Sequence, residues 1–468
     1  MGIANGAIMH RILGVLTATM LACMSGEAAA GTTEAAGGSA ASIDVGALLA
    51  AANGAPAMIC ALAAQSVRNG GWSDRTDAPY TPLGEAPSLR SGDEDYRGRN
   101  GLQFSAADNE RLLAGLASSD ACVRELSVRL VSGQRNNETV SAALLTRLKS
   151  ADAAMREVAA LGLGLSQPIS ALDPLIAALR DATSSVRANA AWALGRIDNG
   201  RALAPLIAVF RDADPKVREA AVVSTGRIDS SSSVAALMRV LQNDESPRVR
   251  RVAAWALGQK EAHEAVDVLA TALGKDSDPR VREMIVWALG NSRGRSATAA
   301  ISNALHRDDN EGVRETAAWA LGEMNDRTAV EALGAAAESD KSSRVRGTAA
   351  WGIGQLRGEG GKAPAGLLKV LRDDEEDARL KAAWALGQIG DPASLDAIRA
   401  ALKAEQSNDV RRALIRAMIK AGGRSEQALT ELLSSSDATV REAAVRGLAG
   451  NNSFNPWPWP WPRPRPFP

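Results

Sequence analysis

The sequence predicts an all-α fold, a right-handed α-solenoid of about eleven stacked helix pairs, and three observations carry that prediction. One segment copies itself at intervals of 30 to 33 residues, mostly 32, which is the mark of a stacked repeat array. Apolar residues within each copy recur at helical spacing, as in Leu203, Leu206, Ile207 and Phe210. Aromatic residues make up only 3% of the chain and Ala, Leu and Val carry most of the apolar fraction. Such a chain lacks the large side chains of a wide globular core, but its small ones let helices approach closely.

Each copy parses as two helices. The second carries the strongest signal: Val186-Arg187 leads to Ala191-Trp192-Ala193-Leu194-Gly195, and Val249-Arg250 to Ala254-Trp255-Ala256-Leu257-Gly258. The pattern returns at Arg282, Arg314, Arg346 and Arg379, with weaker copies at Arg124, Arg156, Arg218, Arg411 and Arg441. Four residues before the arginine stand N-cap types, among them Asp120, Asp152, Asp214, Ser246, Asp278, Asn310, Ser342 and Asp437, able to accept from the open first turn. Pro215, Pro247 and Pro279 follow at the first helical position, where a missing N–H costs nothing. The glycine eight after the arginine ends the helix or lets a neighbour pass close. A pair this short cannot bury its apolar stripe alone, so stacking makes the core continuous.

These units resemble the HEAT-like repeats described in phycobilisome lyases, whose pattern is Asp-x-x-Val-Arg-x-x-Ala-Ala-x-Ala-Leu-Gly. The likeness covers roughly residues 105 to 450. It implies a ladder of hydrogen bonds between neighbouring repeats. The aspartates would be Asp181, Asp212, Asp244, Asp276, Asp308, Asp340 and Asp373; the arginines Arg187, Arg218, Arg250, Arg282, Arg314, Arg346 and Arg379. Their implied role is to set the stacking.

Around the array the chain changes character. Residues 1–30 read as an export signal: His10 and Arg11, an apolar run from Ile12 to Met24, then Ala28-Ala29-Ala30. Lipidation at Cys23 is the lesser option, because Met20 fits a lipobox poorly. The expected location is therefore the periplasm or cell envelope, with no membrane span left after cleavage. Residues 31–42 read as a flexible linker, and 43–104 as an N-terminal helical cap with a Gly/Pro-rich loop over 69–101. Cys60 and Cys122 could pair in an oxidising compartment, yet the plainer expectation is two buried thiols. Residues 451–468 read as an extended polyproline-type tail, in which 456–468 alternate proline with Trp457, Trp459, Trp461, Arg463, Arg465 and Phe467, suited to a spacer, to self-association or to self-inhibition.

Six of the ten tryptophans, Trp192, Trp255, Trp287, Trp319, Trp351 and Trp384, stand five residues after the repeat arginine. At about 100° per residue they lie roughly 160° to 200° from the apolar stripe. Two readings remain open: indoles lining an inner groove about 10 Å apart, or indoles sealing the seam between repeats. Gln259, Asn291, Gln355 and Gln388 share that face and could hydrogen-bond a peptide backbone.

Catalysis is disfavoured. The three histidines are His10, His263 and His306, with no Ser/His/Asp set, phosphate loop or Cys/His cluster. Deoxyhypusine hydroxylase is similar in fold but needs several His-Glu pairs for two irons, and only His263-Glu264 occurs here. No cofactor or metal is expected. Nucleic acid is also disfavoured: acidic and basic residues balance at 54 each, and Glu219, Glu283, Glu315 and Glu323 interleave with Arg196, Arg227 and Arg251. The expected function is a non-catalytic scaffold whose concave face takes a protein or extended peptide. A structural subunit of an envelope assembly is the alternative, with a bilin-lyase-like or DNA-binding role behind it.

Overall fold

A computed structural model describes residues 44–56, 104–134, 137–228, 230–292, 295–356, 361–422 and 430–448, apart from 431 and 437. The expected signal segment, the linker, most of the Gly/Pro-rich loop and the proline-alternating arm lie outside these residues. Every regular element among the described residues is helical. They divide into two compact units, one up to Ser233 and one from Val234.

In the first unit, α1 (Val45–Ala52) precedes four pairs. These are α2 (Ala106–Gly115) with α3 (Ala121–Ser132), α4 (Glu138–Arg147) with α5 (Ala153–Ser166), α6 (Leu172–Ala178) with α7 (Ser184–Ile197), and α8 (Leu203–Ala208) with α9 (Pro215–Arg227). The second unit begins with α10 (Val234–Asn243) and α11 (Pro247–Gln259), then α12 (Val266–Leu273) and α13 (Pro279–Asn291), and α14 (Arg295–Arg307) and α15 (Glu311–Glu323). It continues with α16 (Val330–Ser339) and α17 (Ser343–Leu356), α18 (Ala365–Val370) and α19 (Glu376–Ile389), α20 (Leu395–Ala404) and α21 (Asn408–Ala421), and ends at α22 (Ala438–Leu448).

Local chemistry accounts for the boundaries. The side chains of Asp120, Asp152, Asp214, Asp278 and Asn310 accept from N–H groups of the first turn of their helices. Ser246 occupies the N-cap without such a bond, and Pro247 behind it presets the turn. At the far ends of α5 and α7, Gln167 and Asp198 turn left-handed, and at α19 Gly390 does so without strain.

Within each unit the second helices pack side by side in chain order, α3 on α5, α5 on α7 and α7 on α9, then α11 through α21 and on to α22. Each also rests on its own first helix. The approach is close because the contact residues are small. A Cβ on Gly258 would lie 2.6 Å from the Trp287 ring and 2.9 Å from the Ala288 Cα. On Gly354 it would meet Trp384 at 2.7 Å and Ala385 at 2.8 Å. The glycine eight after the arginine thus serves close passage. The consequence is that α15 is buried from Val313 to Gly322 on every side.

At the N-terminal end, α1 packs on α2 and α3. The turn after it folds back onto α3, where the Gly54 N–H donates to Asp120 Oδ2 at 2.8 Å. Ala52, Cys122, Val123 and Leu126 share one apolar cluster with Leu49 and Ala55. Cys122 is disulfide-bonded, which corrects the expectation of a buried free thiol. The other two cysteines, Cys23 and Cys60, lie outside the described residues.

Candidate protein-binding surface

The repeat arginine reaches in two directions. Its Nη1 donates to two carbonyls of its own inter-helix turn, as Arg282 does to Asp276 and Ser277 at 3.0 and 3.2 Å. Its Nε and Nη2 then grip the carboxylate of the following repeat as a fork. Arg187 holds Asp212 at 2.7 and 2.8 Å, Arg250 holds Asp276 at 2.7 and 2.9 Å, and Arg282 holds Asp308 at 2.7 and 2.9 Å. Arg314–Asp340 and Arg346–Asp373 repeat the geometry. Each carboxylate also accepts the backbone N–H two residues on, as Asp276 does from Asp278 at 2.9 Å, so it pins its own turn while tied to its neighbour. Arg218 and Asp244 make the corresponding local bonds.

Two rungs were only half named from the sequence, through Asp181 and Arg379. Arg156 forks Asp181 at 2.6 and 2.9 Å, and Arg379 forks Glu405, a glutamate where the other repeats place aspartate. The weak copy at Arg156 already held the right residue. Glu405 was legible only by allowing the longer acid.

The hydrogen-bonded Arg156 guanidinium holds the Asp181 carboxyl below its ordinary 3.8, against the opposing effect of burial. For Asp212 burial pushes upward, and Arg187 with the Asp214 N–H outweighs it. A depressed folded-state pKa gives stability that is fully present above the unfolded carboxylate value and lost as pH falls through the folded one. The first unit is therefore expected to hold its denaturation midpoint above about pH 4 and lose it below. Asp181→Asn should be less stable at neutral pH and show a shallower acid loss; an unchanged acid limb in urea titrations would refute the assignment.

The indoles do not line a groove. Trp192, Trp255, Trp287, Trp319 and Trp351 are 2 to 8% exposed, and only Trp384 is partly open. Of the two readings of these residues, a groove row and a seam seal, the burial of these five corrects the first and agrees with the second. Each helix packs so closely on the previous one that its indole is drawn into the seam, as Trp287 is over Gly258 and Trp351 over Gly322. Trp192 is further roofed by Arg196, whose guanidinium carbon stands 5.2 Å from the ring centre.

What remains outward on that face is polar. Nine residues after the arginine, one turn beyond the indole, stand Gln259, Asn291, Glu323, Gln355 and Gln388 in the second unit. All are exposed except Asn291, which is half-buried. Near the start of the same helices lies a charged cluster. Arg344 bonds Glu315 and approaches Glu311 at 3.8 Å, and Thr316 donates to Glu283 at 3.3 Å. Burial pushes the Glu283 and Glu315 carboxyls up, with Arg344 among the cations opposing it at both.

His263 Nδ1 lies 2.5 Å from the Ser292 carbonyl, joining two consecutive repeats, while Glu264 is exposed. Among the described residues, no group of three or more His, Cys, Asp or Glu could hold a metal. No helix among them is long and apolar enough to cross a membrane.

A family model described as HEAT repeats matches residues 172–258, 234–302, 297–365 and 364–449. No curated protein matches the sequence. Among solved structures, importin beta in an ammonium sulfate condition is similar at 13% identity and a TM-score of 0.53, over 84% of this chain and 64% of that one. An engineered protein is similar at 21% identity and a TM-score of 0.43, over 66% and 98%. Kap121p bound to RanGTP matches at 15% identity and a TM-score of 0.47, over 84% and 49%. The chain thus spans less than two thirds of either karyopherin. At such identity the importin beta likeness speaks for the fold alone.

Proposed function

Because this chain belongs to the HEAT-repeat family, with the family model spanning residues 172 to 449, we propose that it is an exported, non-catalytic scaffold that binds a protein through an extended segment. The observation that carries this reading is the division of labour within each second helix. Its arginine, glycine and tryptophan are spent on stacking. In the second unit the position nine after the arginine is polar from Gln259 to Lys420, and exposed in each of these repeats except at the half-buried Asn291.

Gln259, Asn291, Gln355 and Gln388 each carry an amide that both donates and accepts. Neighbouring helices stand about 8–10 Å apart. Three residues of an extended polyproline-type peptide advance about 9 Å, so one amide per repeat meets every third backbone unit of such a ligand. The indoles contribute from below, by fixing the spacing.

A pull-down from envelope extract compares wild type with the Gln259/Asn291/Gln355/Gln388→Ala variant. The expected result is at least a tenfold loss of captured protein with an unchanged thermal unfolding curve. Equal capture by both would sink the reading.

Export rests on residues 1–30 together with the disulfide at Cys122, a bond that persists in oxidising compartments. Protein isolated without reductant and alkylated in denaturant is expected to leave Cys122 unlabelled until a reductant is added. Labelling before reduction would count against an oxidising location.

A further inference from the structure

Two consecutive repeats of the second unit resolve one choice in opposite ways. Glu283 in α13 and Glu315 in α15 hold the same place, one residue after the repeat arginine. The next helix offers each carboxylate two neighbours. One is a threonine 33 residues on, Thr316 or Thr348; the other, 29 residues on, is Gly312 or Arg344. Where the arginine is present it takes the carboxylate. Arg344 bonds Glu315 while its own side chain stays 66% exposed, and Thr348, 1% exposed, keeps a hydroxyl that has no partner among the described residues. Where glycine stands instead, the carboxylate falls to the threonine, and Thr316 donates to Glu283 Oε1 at 3.3 Å. Glu283 Oε2 then borders the room beside Gly312, 3.8 Å from where a Cβ would stand. The first unit also covers this place, with Ser185 donating to Glu157 Oε2 at 2.9 Å. Rung 315 is thus the filled form of the arrangement and rung 283 the empty one.

We propose that Glu283 receives an arginine side chain of the bound segment, seated over Gly312 as Arg344 is seated over Glu315. The proposal rests on the reading of this face as a peptide surface and names one side chain that the segment carries. Glu283 lies eight residues, or about 12 Å, before Asn291 along α13, an interval that calls for a long side chain from an amide-bound segment. Arginine is favoured over lysine by the example of Arg344 and by the weaker hydration of a guanidinium, which eases its entry into a half-buried place. Glu283 has already shed part of its water, so less desolvation remains to be met when the pair forms. Burial pushes its carboxyl up, and Thr316 with the charges of Arg251, Arg280 and Arg344 does not offset it. Those three cations repel a fourth at range, whereas the bond to Oε2 is direct and charge-assisted.

Fluorescence anisotropy on the full chain tests this with two labelled peptides, one repeating Pro-Pro-Arg three times and the other Pro-Pro-Gln. Wild type is expected to bind the arginine probe about tenfold more tightly, the worth of one hydrogen bond to a charged group. Glu283→Gln keeps the shape of the site and should erase that preference. Gly312→Arg fills the place from within and should erase it too. Asp377→Asn removes an equal charge from an exposed acid of α19 and should leave it intact. Equal binding of both probes by wild type, weakened alike by Gln259/Asn291/Gln355/Gln388→Ala, would overturn the site while the amide surface stands. A preference lost as fully in Asp377→Asn as in Glu283→Gln would overturn it as well, since the attraction would then be diffuse. If neither probe binds, the amide surface and this site fall together.

Discussion

Replacing Arg314 with glutamine is expected to destabilise the second unit by about 3–5 kcal/mol, the cost of removing one partner from a buried ion pair. Arg314 and Asp340 are the most enclosed rung, with side chains 5% and 6% exposed. The guanidinium donates to both oxygens of Asp340 at 2.8 and 3.1 Å and to the Asp308 and Asp309 carbonyls at 3.0 and 3.2 Å. Glutamine can replace at most two of these bonds and leaves a carboxylate facing a neutral neighbour. Arg201–Asp173 supplies the control, an ion pair of 2.7 Å with side chains 66% and 69% exposed. Arg201→Gln should cost below about 1 kcal/mol, because water already solvates both charges. Stacked repeats unfold in parts, so the readout is hydrogen exchange resolved along α13, α15 and α17 in addition to the denaturant midpoint. Equal effects of the two substitutions would show that the rungs do not carry the stacking.

Trp287→Ala is expected to cost about 3–5 kcal/mol, the range for deleting a buried large aromatic whose cavity cannot collapse. Collapse is blocked here because Gly258 and Ala288 already bring the two backbones as near as they can come. Gln259→Ala, on the outward position of the preceding helix, should stay within about 0.5 kcal/mol. The contrast separates the two roles of this face: indoles that hold the seam, amides that meet the partner. A Trp287→Ala protein of undiminished stability that has lost its partner would reverse that assignment.

The architecture was legible because the repeat spoke at several levels at once. Asp278, Pro279, Arg282 and Gly290 each have a local reason to stand where they do, and all agree on one helix. The arginine fork was legible from the likeness to known repeats. Its terminal members were not, since Arg156 sits in a weak copy and Glu405 differs in side-chain length from the acid that the pattern names. The sequence left the indoles open between groove and seam for a geometric reason. A helical wheel places Trp287 opposite the stripe facing its own partner helix, but it knows nothing of the helix on either flank. In a stack the flanks are as dry as the core, and a residue 140° round from the arginine falls on one of them. Gln259, Gln355 and Gln388, four residues beyond the indole position, are exposed. The state of Cys122 was illegible for another reason: composition alone leaves pairing open.

The fork has a consequence for how such a chain can change over generations. The modules of Arg187, Arg282, Arg314, Arg346 and Arg379 each bring one cation reaching forward and one anion facing back. Excising or duplicating a whole module therefore leaves no orphaned charge at the junction, since the new neighbours meet through the same two groups as the old. Length is the variable that this chemistry leaves free, whereas a shift of a few residues within a module would strand both partners of two rungs together.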